Sequence, residues 1–536
     1  MKRTSGRVGR GAVTALCAAS LFMPRASAAQ ALPFEDISNS YARNEIINLY
    51  NQKILTGTST TRFSPSKSMT RAEFLTSLDR LLKLEPVASP ISPYTDVPQN
   101  AWYYGWIQAA VQLELASGIS AKVFAPAKAV TRQEAAVWLA KALKKDTGTA
   151  SVSTVFEDGR DIAAWASSAV AAVYKLGLIK GDEAGNFRPS DPITRQEAAV
   201  LLDRVLQHKG WAAELAARPK ERIVIGWKYG QTTAQYENNI LKSNVNTLSP
   251  RWYFVGSTGA VTDSTDTELI TWAKKKGRNI WAMVGNRSDQ AATHRMLSSA
   301  ATRNTAVNGL VAIAKKYGLD GLNLDFENVA PQDRTALTTF VTLLAEKLHA
   351  NQQILSVDVS PDLDTDWTEA FDYGALGLQA DYMVLMGYDE HYSGSAVPGP
   401  NTSLPYDQKA VDRILQVVPS QKVILALPFY NRDWTLQQTE AALSSEFISF
   451  TEQNQRMQRY SMKPVWDASL GQYVASYTTQ SIKHTIWLEE GRSLIAKYHL
   501  AVKQNLAGVA YWYIGGESAD IWTSLGNAEK FYDYSF

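Results

Sequence analysis

Asp320-Gly-Leu-Asn-Leu-Asp-Phe-Glu-Asn328 is the stretch that decides the fold. Side chains alternate along a strand, so Asn323, Asp325 and Glu327 share one face while Leu322, Leu324 and Phe326 share the other. An apolar row packed on helices, opposite a polar row ending in two carboxylates, suits a barrel strand. Its inner face would carry acid chemistry at the C-terminal end.

The neighbouring sequence has the same texture. From Glu221 onward, short apolar runs at 223–227, 247–254, 280–284, 321–327, 354–359, 382–388, 423–428 and 509–513 alternate with helical stretches such as 306–317 and 335–349. Eight strand–helix alternations predict an α/β fold, a (β/α)8 TIM barrel over residues 221–536. A doubly wound open sheet is the rival, but no Gly-x-Gly-x-x-Gly loop follows the first strand. Residues 433–483 are too long for an ordinary loop and are expected to form a small α+β insertion before the last helix and strand.

The front half is a threefold repeat. Phe34-Glu-Asp36, Tyr94-Thr-Asp96 and Phe156-Glu-Asp158 open the units. Phe63-Ser-Pro65, Phe124-Ala-Pro126 and Phe187-Arg-Pro189 precede the tetrads Thr70-Arg-Ala-Glu73, Thr131-Arg-Gln-Glu134 and Thr194-Arg-Gln-Glu197. Helical stretches are expected between them, as at 102–114 and 165–176. Threonine caps a helix, and glutamate three residues on completes a capping box. The arginine has no such local reason, because the helix dipole disfavours a cation in the first turn. Beside free N–H groups it would make an anion site; the alternative is an arginine paired with a nearby carboxylate.

With 536 residues the chain exceeds one compact domain, and a formal net charge of +2 gives no case for a nucleic-acid partner. Lys2, Arg3, Arg7 and Arg10 precede an apolar stretch at 11–23, and Ala26-Ser27-Ala28 offers a small-residue cleavage site. This predicts a secretory signal peptide at 1–28; the apolar run is too short to span a bilayer, so no membrane span is expected after cleavage. The single cysteine, Cys17, lies in that segment. The mature chain would therefore lack thiol catalysis and disulfides, and scattered histidines give a metal site little support.

The repeats resemble S-layer homology domains, at 33–85, 93–145 and 154–208, with a linker at 209–220. The resemblance implies an all-α three-repeat anchor whose grooves bind an acidic secondary cell-wall polysaccharide, with the family's tetrad arginine at Arg71, Arg132 and Arg195. The family's glycine after the first helix stands at Gly57, Gly118 and Gly181. It also implies a secreted protein attached to the wall or S-layer of a Gram-positive-type bacterium.

Residues 221–536 resemble glycoside hydrolase family 18. The family's strand-four pattern Asp-x-x-Asp-x-Asp-x-Glu is matched by Asp320, Asp325 and Glu327. Met386-Gly-Tyr-Asp389 on strand six, Tyr430-Asn-Arg432 on strand seven and Trp512 on strand eight match as well. The resemblance implies substrate-assisted, retaining hydrolysis of an N-acetylated polysaccharide without metal or cofactor. Glu327 would be the acid, Asp325 and Tyr388 would orient the 2-acetamido group, and Trp512 would form the floor. Asp389, Met386, Tyr430 and Arg432 would help bind the sugar.

Asn323 stands where chitinases carry an inner aspartate. It is expected to hydrogen-bond Asp325 without sharing a proton, leaving Asp325 readily ionised. The motif and His484-Thr-Ile-Trp487-Leu-Glu-Glu490 resemble cell-wall and spore-cortex N-acetylglucosaminidases, which favours peptidoglycan over chitin. A surface chitinase and a non-cutting N-acetylglycan lectin are the alternatives, the latter opposed by retention of Glu327.

Overall fold

The computed structural model describes residues 32–145, 154–363, 366–436 and 444–536; the expected signal segment, with Cys17, lies outside them. Among the described residues no helix is long and apolar enough to cross a membrane.

Each repeat is a pair of helices. The first helices are Arg43–Asn51, Tyr104–Gln112 and Ala164–Lys175; the second are Arg71–Leu81, Arg132–Ala142 and Arg195–Gln207. Thr70, Thr131 and Thr194 cap the second helices, and both halves of the capping box form with Glu73, Glu134 and Glu197. Asp36, Asp96 and Asp158 accept from the backbone N–H groups of the Phe-x-Pro loops, which explains the acidic opening of every unit. At Gly57 a Cβ would lie 2.3 Å from the Ser59 carbonyl, and at Gly118 2.4 Å from that of Val123, so neither position admits a side chain.

The repeats close on one another. Each second helix packs against the first helix of the next unit, and the third unit returns to the first. At the centre Val130 N–H donates to Met69 O, Ile193 N–H to Val130 O and Met69 N–H to Ile193 O, at 2.9–3.0 Å.

Residues 209–220 begin as a helix, Lys209–Ala216, with Trp211 and Leu215 buried, rather than as an open connector. The chain then enters eight parallel strands: Ile223–Lys228, Thr247–Val255, Asn279–Gly285, Gly321–Asp325, Ile354–Val359, Tyr382–Met386, Val423–Pro428 and Gly508–Trp512. They pair in sequence order and close eighth on first, giving a TIM barrel. Val261–Asp263 is an antiparallel appendage on the second strand.

Tyr430 to Leu488 spans a five-stranded antiparallel sheet, ordered Ser444–Ser449, Tyr430–Leu436, Ile482–Leu488, Gln472–Thr479 and Val465–Asp467, with helix Phe450–Arg459. Tyr430 and Arg432 therefore belong to this inserted sheet and not to barrel strand seven, which ends at Pro428.

Anchor and barrel meet over a bonded seam. Glu85 and Asn527 exchange two hydrogen bonds at 2.8 Å, Tyr534 OH donates to Leu82 O at 2.8 Å, and Lys144 Nζ donates to Tyr532 O and Tyr534 O. Ile91, from the connector between the first two repeats, joins the apolar core of the inserted sheet.

Candidate active site

Strand four follows the expected alternation: Leu322 and Leu324 are buried on the helix side, while Asn323 and Asp325 face the barrel interior. The strand stops at Asp325. Phe326 stacks on Phe340 at 5.6 Å, and Glu327 emerges exposed beyond the strand end. Its backbone is gripped by Asn286, whose Oδ1 accepts from Glu327 N–H at 3.0 Å and whose Nδ2 donates to Glu327 O at 2.7 Å. Ser288 Oγ donates to Glu327 Oε2 at 2.7 Å. The acid is thus held from strand three's C-terminal loop.

The Asp325 carboxyl accepts no hydrogen bond among the described residues. Burial, with the Glu327 carboxylate beside it, pushes its carboxyl up to about 8, against the opposing pull of Arg251. The expectation of a readily ionised Asp325 bonded to Asn323 fails on both counts. The Asn323 carbonyl accepts from Trp227 Nε1 at 2.8 Å and Ser249 Oγ at 3.1 Å, and its amide donates to Ser356 Oγ at 3.0 Å and Asp358 Oδ1 at 2.6 Å. Its side chain lies a layer below Asp325, among strands one, two and five, and its bonding capacity is used there.

Tyr388 follows strand six. Burial, then Tyr430, Asp358, Asp325 and Asp389, push its phenol well above the usual tyrosine range, so it stays a neutral O–H donor. Met386 ends strand six, half-buried. Asp389 adopts φ +61°, its N–H donating to Asn401 Oδ1 at 3.2 Å. Tyr430 OH donates to Asp389 Oδ1 at 2.7 Å, and Arg432 Nη2 lies 3.5 Å from the same oxygen. The inserted sheet thereby ties its first strand to the strand-six motif.

Trp512 ends strand eight with its ring edge-to-face on Trp227 at 5.7 Å and tilted over Tyr229 at 5.4 Å; the Trp512–Tyr513 peptide is cis. Tyr513 and Phe447 are parallel at 6.3 Å, Phe447 stacks on Tyr430 at 4.6 Å, and Tyr430 meets Tyr388 edge-on at 6.2 Å. Aromatic faces therefore run along the mouth around the acids, a surface suited to pyranose rings. Sequence reasoning passed over Asn286, Ser288, Trp227, Arg251, Asp358 and Phe447. Asp358 was legible, since Ile354-Leu-Ser-Val-Asp358 alternates as strand four does; Phe447, borne on the inserted sheet, carried no signal.

The repeat arginines lie apart from this site. They are 2–6% exposed, and each reaches into the next unit. Arg71 donates to Phe124 O and Ser117 O at 2.9 Å and pairs with Glu134. Arg132 donates to Phe187 O at 2.7 Å and pairs with Glu197 at 3.0 Å; Arg195 donates to Phe63 O at 2.7 Å and lies 3.7 Å from Glu73. The N–H groups expected to be free are taken as well: Arg71 N–H donates to Lys128 O and Ala72 N–H to Pro126 O. Of the two readings left open, pairing with a neighbouring carboxylate is the one seen at each tetrad, while Arg132 and Arg195 also line grooves. Two grooves nonetheless open over these clamps. One, of about 290 Å³, presents Lys67, Arg80 and Trp102 above Arg195; the other, of about 190 Å³, presents Lys180, Arg188, Arg204 and Tyr41 beside Arg132.

Comparison with known proteins agrees with both halves. The profile of Glycosyl hydrolases family 18 matches residues 244–517, and that of the S-layer homology domain matches 33–75, 93–136 and 155–199. The uncharacterized glycosylase YvbX of Bacillus subtilis is 25% identical over 319 residues, 58% of this chain and 92% of that protein. The cortical fragment-lytic enzyme of Bacillus subtilis is 26% identical over 276 residues, 49% of this chain and 62% of that protein. A chitinase from Chromobacterium violaceum shares the fold, with TM-score 0.53 and 24% identity over 57% of this chain and 99% of that one.

Proposed function

Since the chain belongs to glycosyl hydrolase family 18 and carries three S-layer homology repeats, we propose that this glycoside hydrolase acts at a bacterial cell surface on the N-acetylglucosaminyl β-1,4 bonds of peptidoglycan. The observation that carries the mechanism is the Asp325 carboxyl, which among the described residues has no hydrogen-bond partner and lies within electrostatic reach of Glu327 and Tyr388. A 2-acetamido N–H would supply the missing partner.

In this reading Asp325 accepts from the acetamido N–H, and Tyr388 OH donates to the acetamido oxygen as it turns toward the anomeric carbon. Glu327 gives its proton to the glycosidic oxygen as the C–O bond breaks and the acetamido oxygen bonds to C1. Water then adds to C1, its proton returning to Glu327, and the oxazolinium ring reopens with retained configuration. Positioning supplies much of the rate, since nucleophile and electrophile belong to one sugar.

Wall attachment in this reading uses the grooves at Lys67, Arg80 and Trp102 and at Arg188 and Arg204, whose cations and aromatic faces suit an acidic polysaccharide. The resemblance of the Asn323 motif to wall and cortex enzymes, and the anchor, favour peptidoglycan over chitin. Purified peptidoglycan and chitin oligomers, digested side by side with products identified by mass, test this. Faster release of reducing ends from peptidoglycan is expected; faster release from chitin overturns the preference.

A further inference from the structure

Strands four and five run side by side with Asn323 level with Ser356 and Leu324 level with Val357. One residue further along this register, Asp325 comes level with Asp358 on the same inner face. Neighbouring strands lie about 4.8 Å apart, which makes the two aspartates lateral neighbours at the barrel mouth. Asp358 is 2% exposed, and its Oδ1 takes the Asn323 amide at 2.6 Å. Asn323 is fixed in turn by Trp227, Ser249 and Ser356, so it acts as a strut that aims Asp358.

Two carboxyl groups one strand spacing apart in a dry barrel do not both ionise. The groups around them reinforce this. Glu327 lies beyond strand four, and Tyr388 and Asp389 follow strand six. The inserted sheet adds Tyr430 and Arg432, the latter beside Asp389. Arg251 on strand two is the cation that acts on Asp325, and it sits over the Tyr229 and Phe254 rings. The pattern Asp-x-x-Asp-x-Asp-x-Glu places an inner acid at the position of Asn323. In this chain a carboxyl stands one strand to the side.

We propose that Asp358 is a positioning residue that shares one proton with Asp325, replacing the inner acid absent at Asn323. Between them the two carboxyls hold one proton when the site is empty, burial and mutual repulsion pushing both above the usual carboxylate range. When the acetamido N–H arrives at Asp325, that proton is held by Asp358 and Asp325 is the carboxylate.

The proposal rests on the enzymatic reading above, and a reciprocal exchange tests it. Asp358→Asn preserves the shape and the bond from Asn323. It is expected to lower kcat/KM at least about tenfold and to move the alkaline limb of the pH profile down by about one unit, because a like charge beside Asp325 is gone. Asn323→Asp alone is expected to lose activity through crowding of three acids, and Asn323→Asp with Asp358→Asn to recover to within about threefold of wild type. An unchanged pH profile in Asp358→Asn, or a double variant no better than the weaker single, overturns the proposal. An infrared titration of the carboxyl bands, wild type minus Asp358→Asn, needs no turnover. It must show a second carboxyl shifted to lower pH; a difference confined to one carboxyl sinks the dyad. If wild type cuts no N-acetylated glycan, the enzymatic reading falls while this titration still judges the pair.

Discussion

The anchor and the barrel use charged motif residues in opposite ways. In the anchor, each tetrad arginine is spent on two neighbouring carbonyls or a carboxylate of the next repeat, and each tetrad glutamate caps its own helix while facing that arginine. In the barrel, among the described residues, the Asp325 carboxyl has no hydrogen-bond partner and Glu327 has one side-chain donor, Ser288. A charge whose bonding capacity is filled by its own chain holds the fold; a charge left short at a concave mouth is available to a ligand.

The largest effect should separate the two uses completely. Glu327→Gln is expected to cut hydrolysis by about 10²–10⁴-fold with unchanged melting temperature and wall retention, since it removes a proton donor and no structural bond. Turnover on soluble N-acetylated oligomers against the wild type measures this; comparable rates would remove Glu327 from the chemistry.

Arg71→Ala should do the reverse. It strands Glu134 and two carbonyls at the joint between repeats one and two, at a cost of about 3 kcal/mol, and lysine cannot replace the forked donor. Denaturant titration followed by tryptophan fluorescence should show an early transition, with turnover on soluble oligomers within about twofold of wild type.

A smaller effect distinguishes clamp from groove. Lys67→Glu reverses an exposed groove cation, and is expected to weaken wall retention about threefold at low salt while leaving stability within about 0.5 kcal/mol. Sedimentation with purified walls reads it, and unaltered retention would move the polymer to the other groove.

The smallest effect is a pH trend. Asp79 in the anchor is fully buried with neither carboxylate oxygen bonded, and burial pushes its carboxyl well above the usual range. A folded pKa above the unfolded value means that its contribution to stability is full below about pH 4 and lost as pH rises toward the folded pKa. Asp79→Asn removes that loss, so its melting temperature should gain on the wild type between pH 5 and pH 8. A gap that narrows instead would mean that Asp79 is ionised and paired.

Much of this was legible along the chain. The eight strands follow from apolar runs of strand length, and the capping boxes from Thr and Glu at a spacing of three, because both are local. Glu327, Asp325, Tyr388 and Trp512 were legible because barrel topology sends strand ends to one rim. The partners were not. Arg71 meets a carboxylate 63 residues away and Arg195 a carbonyl 132 residues away, separations that no periodicity encodes. Tyr430 and Arg432 were assigned to strand seven because the insertion starts three residues earlier than its composition suggests.

By itself the sequence determined the two architectures, the order of the rim motifs and the residue types available for acid chemistry, since these depend on local periodicity and capping. Only the tertiary structure decided which charges are free. It closed three repeats so that their arginines became internal bolts. It turned Asn323 away from Asp325 and set Asp358 level with that carboxyl. Those outcomes rest on burial and on bonds across the chain, and burial is what fixes the proton affinity and availability of a charge.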